Sequence, residues 1–273
     1  MTAILPIREV EKPWGVDTLP KPFTAKEGER IGEIWFEPPK ALPGLLVKYI
    51  FTSEALSVQV HPTDAQTMAK GLGRQGKEEC WLIVAAEPDA KLGIGFDKTI
   101  SPDEMRAAAL DGSIEKLMTW FTVKPGDFFY IPANTVHAIG AGVSLIETQQ
   151  NSDITYRLYD YGRGRELHLD DGMAVAKGEP YAQDRWHTHV DTQETKTLVD
   201  GPLFLLDHVA GQPPEHIAAR YTGGLLVIPR EGTVTVSGEP VAPGSCALAP
   251  SLSAVHFADD AVCLIAVACS DET

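Results

Sequence analysis

Short apolar runs, each soon closed off by glycine, proline or aspartate, recur along the whole chain and fix its structural class. Leu45–Phe51, Leu56–Val60, Cys80–Ala85, Phe128–Ile131, Val143–Glu147, Leu203–Leu206, Leu225–Ile228, Thr233–Val236 and Val262–Val267 are the clearest. Runs this short, rich in β-branched and aromatic residues, read as strands rather than buried helices. Many such strands between regular turns imply a mainly β protein built as sandwiches or barrels. One segment breaks the pattern. Ser101-Pro102-Asp103-Glu104 sets an N-cap serine, an N1 proline and a glutamate at N3, which predicts a helix ending near Asp111-Gly112. A further short turn is expected over Ser113–Met118, and Thr63–Gln75 is expected to be helical in part.

Pro125-Gly126-x5-Pro132 returns as Pro243-Gly244-x5-Pro250, each followed by Val-His (Val136-His137, Val255-His256). This repeat implies two related β-modules. The expected division is a metal-binding, catalytic unit over 1–177 with a helical insertion around 101–118, a polar linker over 178–197, and a degenerate second module over 198–273.

Charge narrows the partners. The 273 residues carry 23 Lys and Arg against 38 Asp and Glu, a net charge of −15. Nucleic acid and anionic membranes require a basic footprint, so neither is an expected partner. The longest apolar run, Ala261–Cys269, is too short to span a bilayer. No secretory signal is visible in MTAILPIREVEKPWG, and Cys80, Cys246, Cys263 and Cys269 form no CxxC pair. Free thiols in a cytoplasmic protein are the expectation. The acid excess is concentrated: residues 1–165 hold 18 basic and 22 acidic groups, which leaves 5 and 16 for the remainder.

The chemistry gathers in the first part. Gln59 and His61 stand two apart in LSVQVHP, so on a strand both side chains reach one face. In GKEECW the same parity groups Lys77, Glu79 and Trp81, with Glu78 and Cys80 opposite. His137 closes Gly126-x5-Pro132-x-Asn134-x2-His137. One amide oxygen, one carboxylate and two imidazoles suit zinc, or Fe2+ held by two histidines and a carboxylate. His187-x-His189 has no matching third ligand and is expected to be solvated, as are Lys98 and Lys116. Without any further pattern, Arg157 would be expected to pair with Asp153 or Asp160.

Gly126-x5-Pro132-x-Asn134-x2-His137 resembles the second cupin motif, with Asn134 in place of a glycine. Asparagine is the residue that best tolerates positive φ after glycine. LSVQVHP, GKEECW, the helix pair, VKPGDFFYIPANTVHAIGAGV and IETQQNSDITYRLYDYGRGRELHLD, with the earlier KPWG and IGEIWF, resemble type I mannose-6-phosphate isomerases in their short bacterial form, from Lys12 to Asp171. The resemblance implies two cupin-like jelly-roll modules. It also implies one zinc ion per chain, or another divalent metal, and a reversible conversion of mannose 6-phosphate into fructose 6-phosphate.

The family's metal ligands map onto Gln59, His61, Glu79 and His137. Its active-site arginine maps onto Arg157, with Asp153 and Glu147 upstream as substrate-binding and catalytic candidates, and its active-site lysine maps onto Lys77. Some members carry a histidine just before that lysine, associated with ring opening; here the position is Gly76. Arg163 and Arg165 are weaker candidates for the mouth of the site. Proton transfer between C1 and C2 needs a base, and Lys77 and Glu147 are rivals for that role. A metal beside Arg157 would stabilise the enediolate, or Arg157 would clamp the phosphate. The expected partner is a hexose phosphate, with the chain a monomer or weak homo-oligomer. The alternatives are a non-catalytic cupin that binds a sugar phosphate in a regulatory role, and an iron-dependent oxygenase.

Overall fold

The computed structural model describes residues 3–269. Four antiparallel sheets and a helical cover lie one on another. The seven-stranded sheet runs His187–His189, Asp127–Ile131, Glu79–Ala86, Val143–Gln150, Leu45–Phe51, Ile31–Phe36, Ile7–Val16. Against its inner face lies a five-stranded sheet in the order Tyr156–Tyr159, Val58–Val60, His137–Ile139, Lys91–Phe96, Met118–Thr122. Trp81, Ile83 and Leu145 of the first sheet interlock with Leu92, Ile94 and Ile139 of the second. The alternation of side chains along each strand puts Cys80 and Leu82 on the opposite face.

That opposite face is also buried. Tyr49, Phe51, Leu82, Phe128 and Ile146 share a core with Leu206, Leu226, Ile228 and Leu264 of a six-stranded sheet. Its strands are ordered Ala3–Ile4, Ala247–Ala249, Leu225–Glu231, Val262–Ala268, Phe204–Ala210, Lys196–Asp200. A three-stranded sheet, Glu239–Val241, Val234–Val236 and Val255–Phe257, closes the second sandwich through Val234, Val236 and Phe257. A sheet buried on both faces reads as a continuous apolar run, and LLVKYIF at Leu45–Phe51 is buried at every residue. The sheets pair as open sandwiches, and no closed barrel forms among the described residues.

The helix over Pro102–Asp111 starts at Ser101, whose Oγ accepts Glu104 N–H at 3.1 Å, and ends on Gly112 at φ 81°. With Ile114–Leu117 and Leu169–Val175 it covers the outside of the five-stranded sheet, Met105, Ala108 and Val175 meeting Val58, Val60 and Leu158. Within Thr63–Gln75 a helix spans Asp64–Ala69, and Thr63 and Gln66 form its capping box. Asn134 sits at φ 72°, the left-handed conformation that a glycine would otherwise supply.

The stretch 178–197, read from sequence as a polar linker, contains regular structure. Gln183–Trp186 is helical, and His187–His189 pairs with Asp127–Ile131 as the sheet's edge. His187 lies on the Phe129 ring at 4.4 Å and His189 Nδ1 is 2.8 Å from Asp127 Oδ1, so both histidines are half-buried rather than solvated. Three polar residues at an edge leave no apolar periodicity to read. Among the described residues no helix is long and apolar enough to cross a membrane.

Candidate functional site

Two cross-strand rows face each other inside the first sandwich. On the five-stranded sheet, Arg157, Gln59 and His137 are register partners on three neighbouring strands. On the seven-stranded sheet, Trp35, Lys48, Glu147 and Trp81 stand in register across four. Side chains directly opposite in antiparallel pairs are close enough to interact, so each row is fixed by strand pairing rather than by loops. Between the rows lies a cleft of about 340 Å3.

At one end of the cleft His61, Glu79 and His137 converge, with ligand atoms all within 4.8 Å of one another. Their relative exposure is 1%, 0% and 1%. His61 Nδ1 is 2.9 Å from Ile154 O, and His137 Nδ1 is 2.9 Å from Thr135 O. Each ring therefore donates outward through Nδ1–H to a backbone carbonyl and keeps the Nε2 lone pair for the interior, as metal-binding imidazoles do. His137 Nε2 lies 3.3 Å from Glu79 Oε1 and His61 Nε2 lies 3.5 Å from Oε2. Glu79 Oε1 accepts no hydrogen bond although it is fully buried, and Oε2 meets Lys77 Nζ at 2.8 Å. Two inward lone pairs beside a buried carboxylate with one orphaned oxygen fit a divalent cation. Gln59 Nε2 is 3.2 Å from His137 Nε2. A half-turn of the amide exchanges its two ends, so Gln59 offers an oxygen donor to the same cluster.

Charge keeps these groups in ligand form. Burial pushes both imidazoles below the ordinary histidine value, and for His61 the Lys77 ammonium pushes further. Burial alone would raise Glu79, but Lys77 and then His137 hold it below the usual carboxylate range. Lys77 Nζ lies 2.8 Å from Glu79 Oε2, 3.2 Å from His61 Nε2 and 4.0 Å from Glu147 Oε1. Glu147 is in turn held by Lys48 Nζ at 2.7 Å and by Trp81 Nε1–H at 2.9 Å. The alternation continues across the sheet, with Glu33 bonded to Trp35 Nε1 and 3.2 Å from Lys12 Nζ. Burial would lower Lys48, but Glu147 and Glu33 outweigh it and keep the ammonium charged. Glu33 likewise stays ionised, burial being outweighed by Lys48 and Lys12.

Arg157, Asp153, Gln59, Lys77 and Glu147 all line the cleft. Asp153 stands exposed at its rim. The Arg157 guanidinium makes no ion pair with Asp153 or Asp160; Nη1–H donates to Glu166 O at 2.8 Å, while the buried Nε has no partner. Asp160 is taken by Arg163 and Arg165, and Arg165 also reaches the cleft.

Comparison with known proteins follows this geometry. No family model matches the chain. Mannose-6-phosphate isomerase ManA of Bacillus subtilis is 40% identical over 168 residues, 59% of this chain and 53% of that protein. YvyI of the same organism, provisionally given the same enzyme name, is 35% identical over 221 residues, 73% of this chain and 69% of its own length. The chain belongs to the mannose-6-phosphate isomerase family. Its match to ManA spans about half of that relative's length. A crystal structure of the Bacillus subtilis mannose 6-phosphate isomerase superposes with a TM-score of 0.78 at 25% identity, covering 96% of this chain and 98% of that one. A zinc-bound mannose 6-phosphate isomerase shares the fold, with a TM-score of 0.67 at 14% identity over 96% of this chain and 97% of its own.

One departure from some mannose-6-phosphate isomerases has a structural cause. A Cβ at Gly76 would lie 2.3 Å from Pro62 O, 2.4 Å from Thr63 C and 2.7 Å from Asp64 N. No histidine fits there in this chain. Gly76 N–H instead donates to Asp64 Oδ1 at 2.6 Å, and Gln150 Nε2–H donates to the same oxygen at 2.9 Å. Asp64 thereby ties the approach to Lys77 to the turn that carries Asp153 and Ile154. Sequence reasoning missed Lys48, Glu33 and Trp35. A lone lysine in LLVKYIF and a lone glutamate in IGEIWF were the available signals, since a buried charge requires a partner.

Proposed function

We propose that this chain is a metal-dependent aldose–ketose isomerase that interconverts mannose 6-phosphate and fructose 6-phosphate through an enediol. The observation that carries the reading is the buried His61–Glu79–His137 cluster with the Lys77 ammonium 2.8 Å from its carboxylate and a cation-lined cleft in front. Family membership supports the substrate. The donor set, two imidazoles and a carboxylate with Gln59 in reach, supports zinc. Held by His61, Glu79 and His137 with Gln59 in reach, the ion would supply Lewis-acid polarisation of a substrate oxygen.

The chain's own residues supply the rest. Lys77, acting as its neutral amine, takes the proton from one of C1 and C2 and returns it to the other, because its Nζ is the movable group nearest the ligand cluster. Glu147, held by Lys48 Nζ and by Trp81 Nε1–H and 4.0 Å from Lys77 Nζ, orients the Lys77 side chain. Arg157 turns its planar fork to the phosphate, and Asp153 at the rim takes a sugar hydroxyl. Four free cysteines, three of them buried, support a reducing, cytoplasmic setting.

The test is formation of fructose 6-phosphate in a coupled assay, with metal-replete and chelated protein side by side. Turnover abolished by chelation and restored by zinc is expected. Tight binding of mannose 6-phosphate without turnover would overturn the reading in favour of a sugar-phosphate sensor.

A further inference from the structure

A second cavity, about 230 Å3, lies at the seam of the two sandwiches, on the opposite side of the seven-stranded sheet from the cleft. Arg230 enters it from the strand Leu225–Glu231. Its neighbours Pro229 and Glu231 pair with Cys263 and Val262, consecutive residues of the adjacent strand, so Arg230 is the extra residue of a β-bulge. Bulges re-aim a side chain out of the normal alternation. The guanidinium has one hydrogen-bond partner, His208 Nε2 at 2.9 Å. His208 is fully buried and burial pushes its value down to about 4, so it accepts a hydrogen bond but brings no negative charge. Among the described residues no carboxylate comes within ion-pair distance of Arg230, in a chain with 38 acidic groups.

A half-buried arginine with no ion pair, and with Glu231 acting on it only from beyond ion-pair distance, is costly unless an anion from outside completes it. The walls specify the rest of that anion. Phe23, Tyr49 and Phe51 form one aromatic cluster, with ring centroids 4.8 Å apart for Phe23–Tyr49 and 5.6 Å for Phe23–Phe51. Lys21 and Ser144 stand at the polar edge, and exposed Glu231 at the rim. A cation at one end and aromatic side chains along the wall describe a small apolar body with a single acidic head. Glu231 disfavours a ligand of higher charge. The volume is below the roughly 300–1,000 Å3 of sites for drug-sized ligands, so the occupant is fragment-sized.

The geometry points to this cavity as a binding site for a small organic carboxylate, its acid group on Arg230 and its apolar body against Phe23, Tyr49 and Phe51. It is distinct from the sugar-phosphate cleft and independent of the isomerase reading.

Benzoate is the probe, with benzamide as its uncharged isostere, titrated into the intact metal-replete protein by calorimetry and by ligand-observed NMR. Saturable benzoate binding is expected, with benzamide about tenfold weaker or worse, the effect of one charge-assisted hydrogen bond. R230Q should abolish benzoate binding and leave the metal content and thermal melt in place. Inorganic phosphate, which lacks the apolar body, should not displace benzoate. Equal binding of benzoate and benzamide, no binding up to about 10 mM, or full displacement by phosphate each overturns the assignment. The two-ligand comparison on the unaltered protein decides the matter even where R230Q fails to fold.

Discussion

Replacing Gly76 with alanine adds one methyl group at the most confined backbone position of the site. The new Cβ would meet a carbonyl oxygen at 2.3 Å and backbone atoms at 2.4 and 2.7 Å, and no flexible side-chain end among these contacts can swing away. Overpacking of this kind costs about 1–3 kcal/mol. Relief by displacing residue 76 would stretch the 2.6 Å bond from Gly76 N–H to Asp64, a charge-assisted bond worth about 1.5–3 kcal/mol. The two costs are alternatives, so G76A should lose about 1–3 kcal/mol rather than their total. The displacement is the more damaging route, since Lys77 follows directly and its ammonium must remain near Glu79. Urea unfolding of metal-free and metal-replete protein measures the first effect, and kcat for mannose 6-phosphate measures the second. Gly223, which has open space around its would-be Cβ, is the control, and G223A should change stability by less than about 0.5 kcal/mol. Unchanged stability together with unchanged kcat in G76A would refute the claim that close approach demands a glycine there. G76H should be worse than G76A and should not gain ring-opening activity.

K48M leaves Glu147 and Glu33 buried without their shared cation and should destabilise by about 3–5 kcal/mol in denaturant titration; adding E147Q to it should recover part of that loss, and simple additivity would argue against a coupled pair. D64A releases both Gly76 and Gln150, so kcat should fall while metal affinity changes little, and D64N, which keeps an acceptor, should retain an intermediate rate. Metal-free protein should lose stability as the pH falls. His61 and His137 are held neutral in the fold, so below the ordinary histidine value of 6.5 the unfolded chain takes up protons that the folded chain cannot. Glu33 and Glu79, held ionised, add a second loss below 4.5. Thermal melts of chelated protein across this range should shift downward in both steps, and bound metal should raise the melt without removing the first, since it too keeps both imidazoles unprotonated in the fold.

Much of this was legible in the residues because strands convert sequence parity into geometry. The i, i+2 spacing of Gln59 and His61, and of Lys77 and Glu79, brings each pair to one site, although only Gln59 and Glu79 lie within strands and His61 and Lys77 stand just outside them. Asn134 marked the tight turn before His137 through its tolerance of positive φ. Parity does not say which strands are neighbours, so the row Trp35–Lys48–Glu147–Trp81, which depends on pairing across four strands, was invisible. The edge strand at His187–His189 was equally hidden, since it is held by backbone pairing to its neighbour, by histidine contacts to Asp127 and Asp191 and by a ring contact to Phe129 rather than by an apolar pattern. The Arg230 bulge is a register shift, and a register shift leaves no mark in a single sequence.

The stacking order has a consequence for what can be removed from this protein. Ala3–Ile4, from the beginning of the chain, closes an edge of the six-stranded sheet, and His187–His189 edges the seven-stranded one. The two sandwiches are thus stitched together from both ends rather than strung on a tether. A shortened gene ending near residue 190 would keep His61, Glu79 and His137 and still expose Tyr49, Phe51, Leu82, Phe128 and Ile146 to water on the reverse side of the sheet. The second sandwich is the waterproofing of the one that holds this cluster, and recombination that swaps or trims either half must preserve that shared face.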